Sequence, residues 1–385
     1  MINKILNFVQ KRLFFLIVAV ILGGLLNVKL FGGYQFTPLI CLVAALIMIY
    51  PSLVPLSFQS IGKIKKYKKL IGLSIVLNFV LAPIVAYIIG GIFLVNEPTL
   101  RLGLIVLALL PGGGMVTTWA LKSRADMVVT IGIILVNLLL AITIVPFGIS
   151  FAMNKLGLEK APEISKSNLN FQKIATENKI KTNNVFDKNL NSDYVNKTEA
   201  ESCIVEKTTK GKASCGLGDG EITPFKIALP IIFIVIFPLI LALITQKLII
   251  KFKGIAFFNK KKKKFGDFSN LGLLVVLFLL MSLENNKTIF EQANLVLSVA
   301  GALIIFYGLI FIVPYLLYRK VYFNAQGKAL LWGSFLRYIT LALGLAISLV
   351  FQDEKLSPII LVIVLSYLIQ IPSSFIITKI LRRAS

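Results

Sequence analysis

Ten apolar stretches run through this chain, at about 13–31, 36–56, 70–95, 101–121, 126–151, 225–248, 268–283, 292–317, 328–351 and 356–381. A helix of about 20 apolar residues crosses the roughly 30 Å hydrocarbon core of a bilayer. Hydrocarbon forces every backbone polar group to bond within the protein, which leaves helices or closed barrels. The expected fold is therefore an all-α integral membrane protein with ten transmembrane helices. At 57% hydrophobic residues and a mean hydropathy of +0.86, the composition agrees. Lys4, Lys11 and Arg12 precede the first stretch as in a signal peptide, but no small-residue cleavage pattern follows, so it reads as a retained helix.

The net charge of +24 is distributed by side. With the N-terminus inside and ten alternating spans, 24 of the 41 basic residues fall on the inner side, including Arg12, Lys122 and the run Lys260 to Lys264. The short outer loops and adjoining helix ends hold Lys29, Arg101, Lys287 and Lys355. This is the positive-inside pattern, and it places a multi-pass protein in the cell inner (cytoplasmic) membrane with both termini cytoplasmic. The lysine run reads as an orientation signal that also meets anionic lipid headgroups, rather than as a nucleic-acid site.

Between the fifth and sixth stretches, residues 152–223 are polar and carry ten of the 17 acidic residues. Alternation places this insertion outside, between a first five-helix unit at 1–151 and a second at 224–385. Five spans per half would make related halves inverted repeats, a common transporter plan. A polar residue before a proline in the last helix of each half is the clearest hint: Asn137 with Pro146, and Ser366 or Gln370 with Pro372. Cys203 and Cys215 lie in the insertion, either as a disulfide suited to an oxidising compartment or as two free thiols. Asn196-Lys197-Thr198 matches a glycosylation sequon.

The fourth stretch is broken by Pro111-Gly112-Gly113-Gly114. Proline lacks the backbone donor and glycine is a poor helix former. Broken backbone at membrane depth is tolerated where it faces protein or a wet cavity, as at transporter substrate sites. Arg337 lies nine residues into the ninth stretch, about 13 Å by helix rise and close to the midplane. Gly112 reaches similar depth from the other side. A half-helix starting after the break offers unpaired N–H groups and a positive dipole end to an anion. Thr117, Thr118, Asn137 and Thr340 add neutral hydrogen-bonding groups, although a helical threonine also bonds to its own backbone. Arg337 reads as a counter-charge to substrate or as a cap on carbonyls at a local break.

No acid lies mid-membrane and the chain has no histidine. Zinc enzymes, intramembrane proteases and acid- or histidine-relay proton pumps need such groups. No Walker loop is present. No enzyme activity and no cofactor or metal is expected.

Several motifs together resemble the bile acid:sodium symporter superfamily, and more closely its arsenite efflux permease branch. They are Tyr50-Pro51; KLIGLSIVLNFVLAP from Lys69 to Pro83; Arg101 to Ile105; Met115-Val116 with Trp119; Asn137; Leu336 to Phe351; and Leu365 to Pro372. The resemblance implies ten helices in two inverted halves, a mobile panel beside a core, and broken helices four and nine crossing at the substrate site. Arsenite permeases of this type carry a cysteine in the fourth-helix break, where this chain has Gly112. Their ninth helix carries an Asn-Asn pair and then a glutamate, where this chain has Arg337-Tyr338 and then Thr340. The symporter branch uses polar and acidic groups at the crossing to bind sodium. The reading is a secondary transporter of a small organic or inorganic anion. Its candidate site is Gly112, Gly113, Gly114, Thr117, Thr118, Asn137, Arg337, Tyr338 and Thr340, and its coupling ion, sodium or proton, is left open. Arsenite or metalloid efflux through an altered site is the alternative, and a transporter-derived ligand sensor a further one.

Overall fold

The computed structural model describes residues 8–9, 12–31, 38–54, 65–158, 224–282, 293–352 and 354–383. Apart from turns and two short breaks these are helical, with no named strand among the described residues. In order the helices are α1 (Leu13–Phe31), α2 (Pro38–Leu53), α3 (Lys68–Phe93), α4 (Pro98–Leu109), α5 (Gly114–Lys122) and α6 (Met127–Lys155). They continue as α7 (Pro224–Met281), α8 (Ala293–Lys320), α9 (Ala325–Phe335), α10 (Ile339–Gln352) and α11 (Pro358–Arg383). Five segments are long and apolar enough to cross a membrane: α1, α3, α6, and Asn294–Lys320 and Pro358–Arg382 within α8 and α11. The chain is a multi-pass membrane protein. Its outward faces agree: Phe15, Leu22, Leu26 and Leu30 on α1, and Val76, Val80, Ile84 and Ile88 on α3, are exposed. Such stripes are costly in water and neutral in lipid.

The helix boundaries follow local chemistry. Asp126 caps α6, its Oδ1 accepting from the N–H groups of Val128 (2.8 Å) and Val129 (3.2 Å). Asn324 caps α9, accepting from Gln326 and Gly327 at 2.9 Å each. These caps satisfy donors that a helix start leaves open. The Asp126 N–H also donates to the Ala325 carbonyl at 2.9 Å and ties the two starts together. In α3, Pro83 cannot donate and its ring crowds the carbonyl four residues back. The helix responds with a π-turn over Leu77–Leu81, which places Asn78 inward. The helix α7 turns at Gly254, whose φ of +79° favours glycine. The Lys260 to Lys264 run expected in a loop is thus helical.

Two packing groups result. Helix α7 packs on α1 and α2, while α3, α4, α6, α8, α9 and α11 pack among themselves; the two groups also meet directly, α7 against α6 and α10, and α2 against α10. The fifth expected stretch ends later than anticipated, because α6 continues to Lys155. The outer insertion, with Cys203, Cys215 and the Asn196 sequon, lies outside the described residues apart from its overlap with α6 and the three residues after it.

Candidate functional site

The fourth and ninth expected spans are each two short helices joined by extended backbone. Helix α4, 12 residues, and α5, 9 residues, are separated by 110–113; α9, 11 residues, and α10, 14 residues, by 336–338. The interruptions meet. Pro111 and Arg337 form an antiparallel β-bridge, and the Tyr338 N–H faces the Leu110 carbonyl at 3.4 Å. Gln370 of α11 completes the pairing. Its Oε1 accepts from the Arg337 N–H at 2.9 Å and its Nε2 donates to the Arg337 carbonyl at 3.3 Å. A side-chain amide thus acts as the missing neighbouring strand for one residue. The Tyr307 hydroxyl donates to the same Oε1 at 3.0 Å. Buried backbone needs such partners.

The glycines of the first break allow this close approach. A Cβ on Gly112 would lie 2.5 Å from Val116 Cγ2 and 2.8 Å from the Leu336 carbonyl oxygen; one on Gly113 would lie 2.4 Å from the Tyr338 ring. Gly112 and Gly113 are therefore enclosed by protein rather than open to a solute. Arg337 is similarly enclosed, at 2% exposure. Its Nη1 donates to the Ala108 carbonyl at 3.1 Å and its Nη2 to the Ser334 carbonyl. The guanidinium caps the carbonyl ends of α4 and α9, where helix dipoles are negative. Asn137 is also set back: its Nδ2 donates to Ser74 Oγ at 3.2 Å, beside Asn78, which donates to the Gly333 carbonyl at 3.1 Å. Of the residues expected to meet a solute, Gly112, Gly113 and Arg337 pack into the crossing with Pro111, Asn137 lies on Ser74 of α3, and none of the four lines the cavity beside the crossing.

The others line a cavity of about 780 Å³: Gly114, Thr117, Thr118, Tyr338 and Thr340. It lies between the two packing groups. Arg12, just before α1, and helices α2 and α7, through Ser52, Ser269 and Asn270, line it; α5 contributes Trp119 and Lys122, and α11 contributes Pro372 and Phe375. The Tyr338 hydroxyl and Ser52 Oγ are hydrogen-bonded at 2.6 Å, and Ser52 Oγ donates to the Ile49 carbonyl at 2.7 Å. Thr117 Oγ1 donates to the Gly114 carbonyl at 2.7 Å, the intrahelical bond expected of a helical threonine. Thr340 Oγ1 is buried with no hydrogen bond of ordinary geometry. Lys122 Nζ stacks on the Trp119 ring at 4.3 Å. Among the described residues, two basic residues and no acidic one line the cavity.

Sequence reasoning missed Ser52, Ser269, Asn270 and Gln370 as site components. It read Arg12 and Lys122 only as orientation signals. Serines and amides in apolar helices carry no spacing signal, and only the tertiary packing brings them together.

Interrupted helices that meet beside a cavity are an arrangement found at the substrate sites of secondary transporters. The comparisons narrow that class. The Sodium Bile acid symporter family model matches residues 39–176, which include α3 to α6 and the first break. Over 116 residues the chain is 30% identical to the arsenical-resistance protein Acr3 of Corynebacterium glutamicum. That stretch is 30% of this chain and 30% of that relative. The resemblance to the bile acid:sodium symporter superfamily and its arsenical-resistance branch therefore stands on the matched segment. Neither match is to an enzyme.

Proposed function

We propose that this protein is a secondary transporter that carries a small anion across the inner membrane by alternating access. In this reading α4–α5 and α9–α10 each make one span and α7 makes two. Ten spans then form two inverted repeats of five, with both termini cytoplasmic. The group α1, α2 and α7 moves against the rest. The observation that carries the reading is the cavity at the seam between those groups, whose charged lining among the described residues is Arg12 and Lys122. Its inner wall is the start of α5, where the Val116 N–H donates to the Gly113 carbonyl and the Gly114 and Met115 N–H groups, with no intrahelical acceptor, favour an anion. Thr340, Thr118 and the Tyr338–Ser52 pair supply neutral donors. Arg337 lies one residue behind Tyr338 and adds positive potential through low-dielectric protein. Lys122 and Arg12 are inner-side residues by charge pattern, so the cavity is open to the cytoplasm.

The test is flux of small anions into proteoliposomes holding the purified protein. Wild-type flux that falls at least about ten-fold in Thr340→Val with Lys122→Gln is expected from losing a hydrogen bond and a charge. Unchanged flux in that double variant would sink the site.

The similarity to an arsenical-resistance protein favours a second reading, efflux of arsenite or another metalloid. The residue set supports it less, because the crossing holds Gly112 and offers no thiol there. Restored growth of an arsenite-sensitive strain would decide for it.

A further inference from the structure

We infer that the Arg337 guanidinium is a tethered replacement for a coupling cation, so that the helix crossing holds together without binding sodium. A cut helix leaves its last carbonyls without donors and its end partly negative. In secondary transporters, such half-helix ends and unwound carbonyls coordinate coupling sodium ions or protons. Two of these ends, from α4 and α9, come together here. Leu110 O receives the Tyr338 N–H, Trp332 O receives the Leu336 N–H, and Gly333 O receives Asn78 Nδ2. The carbonyls of Ala108 and Ser334, one from each half-helix, both receive the guanidinium of Arg337. One fixed positive charge thus bridges the two negative ends, as a bound cation would.

Arginine suits this place. Its guanidinium stays protonated and its planar fork reaches two acceptors at once. The side-chain partners of Arg337 are both backbone carbonyls, and among the described residues no carboxylate meets it to cancel its charge. A free cation seated among the same carbonyls would face that charge at close range and be repelled. Gln370 holds the Arg337 peptide from both sides, which fixes where the charge sits.

The inference deepens the transporter reading and rests on it for its meaning, but the test needs no flux. The purified full-length protein is unfolded by heat in sodium chloride and in choline chloride of equal ionic strength. Wild type and Arg337→Lys, which keeps the charge, are expected to give the same midpoint in both salts. Arg337→Gln, which keeps donors but not charge, is expected to melt lower in choline. Sodium should then raise its midpoint saturably, by about 3 °C or more. A wild-type midpoint that rises saturably with sodium would overturn the inference. So would an Arg337→Gln midpoint no more sensitive to sodium than that of wild type. Absent flux in proteoliposomes would count against the transporter reading alone.

Discussion

The two breaks do the same structural work with opposite chemistry. At 110–113 the helix stops because proline and glycine cannot continue it well, and the break is made of what is missing: an N–H and two side chains. At 336–338 the residues are Leu, Arg and Tyr, none of which disfavours a helix strongly. That break is held open from outside. Gln370 takes the Arg337 peptide, Leu110 takes the Tyr338 N–H, and the guanidinium caps the carbonyls that the interruption exposes. A helix can be cut by weakening its own bonds or by offering its backbone better partners elsewhere. Only the first method is visible in the local sequence.

If this contrast is right, the second break depends on one distant side chain. Gln370→Leu should have the largest effect on stability. It removes the acceptor of the buried Arg337 N–H, costing about 1–3 kcal/mol for that orphan alone, and it also takes a partner from Tyr307. A thermal melt of the purified variant should show the loss. An unchanged midpoint would mean that the second break is set by its own residues after all. The matching change at the first break is Gly112→Ala. The added methyl meets Val116 and the Leu336 carbonyl, so overpacking of about 1–3 kcal/mol is expected. Here the comparison is sharpened by a partner substitution. Val116→Ala removes one of the two clashes, and Gly112→Ala should cost less in that background.

The difference also explains what could be read in advance. Hydropathy gave the long helices, because α1, α3, α6, α8 and α11 need only apolar length. Pro111 to Gly114 marked the first break by composition. Nothing comparable marks the second, and its only local signal was an arginine at membrane depth. That arginine was legible as unusual, but its role was not. Whether a buried guanidinium faces a solute or a carbonyl depends on where Ala108 and Ser334 fall, which is decided by how α4 and α9 cross. The same holds for Asn137: its depth was readable, its partner Ser74 on α3 was not. Thr117, Thr118 and Thr340 were expected together as cavity residues and do line one wall, but the serines and asparagine facing them came from helices with no polar pattern.

Between the breaks and the cavity, the Tyr338–Ser52 bond is the direct link, joining the second break to α2 of the other packing group. Ser52→Ala should cost about 1 kcal/mol in a melt, the usual net worth of one such bond. If the groups move against each other, the same variant should change flux more than that figure implies, since the bond is made in one arrangement and broken in the other. A flux change no larger than the stability change would argue that α2 stays fixed to the crossing.

The smallest expected effects separate the two threonines of the cavity wall. Thr117 spends its hydroxyl on the Gly114 carbonyl, so Thr117→Val exchanges one weak intrahelical bond for a methyl and should leave the melt within about 0.5 kcal/mol of wild type. Thr340 has a buried hydroxyl with no such bond. Thr340→Val should change stability by no more than about 1 kcal/mol, because among the described residues that hydroxyl meets only the neighbouring Tyr338 hydroxyl. Its cost should fall on the solute instead, as a loss of apparent affinity of about ten-fold for one hydrogen bond. The two variants have nearly the same shape and lie on the same wall. Equal losses of affinity would therefore place the solute against both α5 and the second break. Loss in Thr340→Val alone would place it where the two half-helices meet.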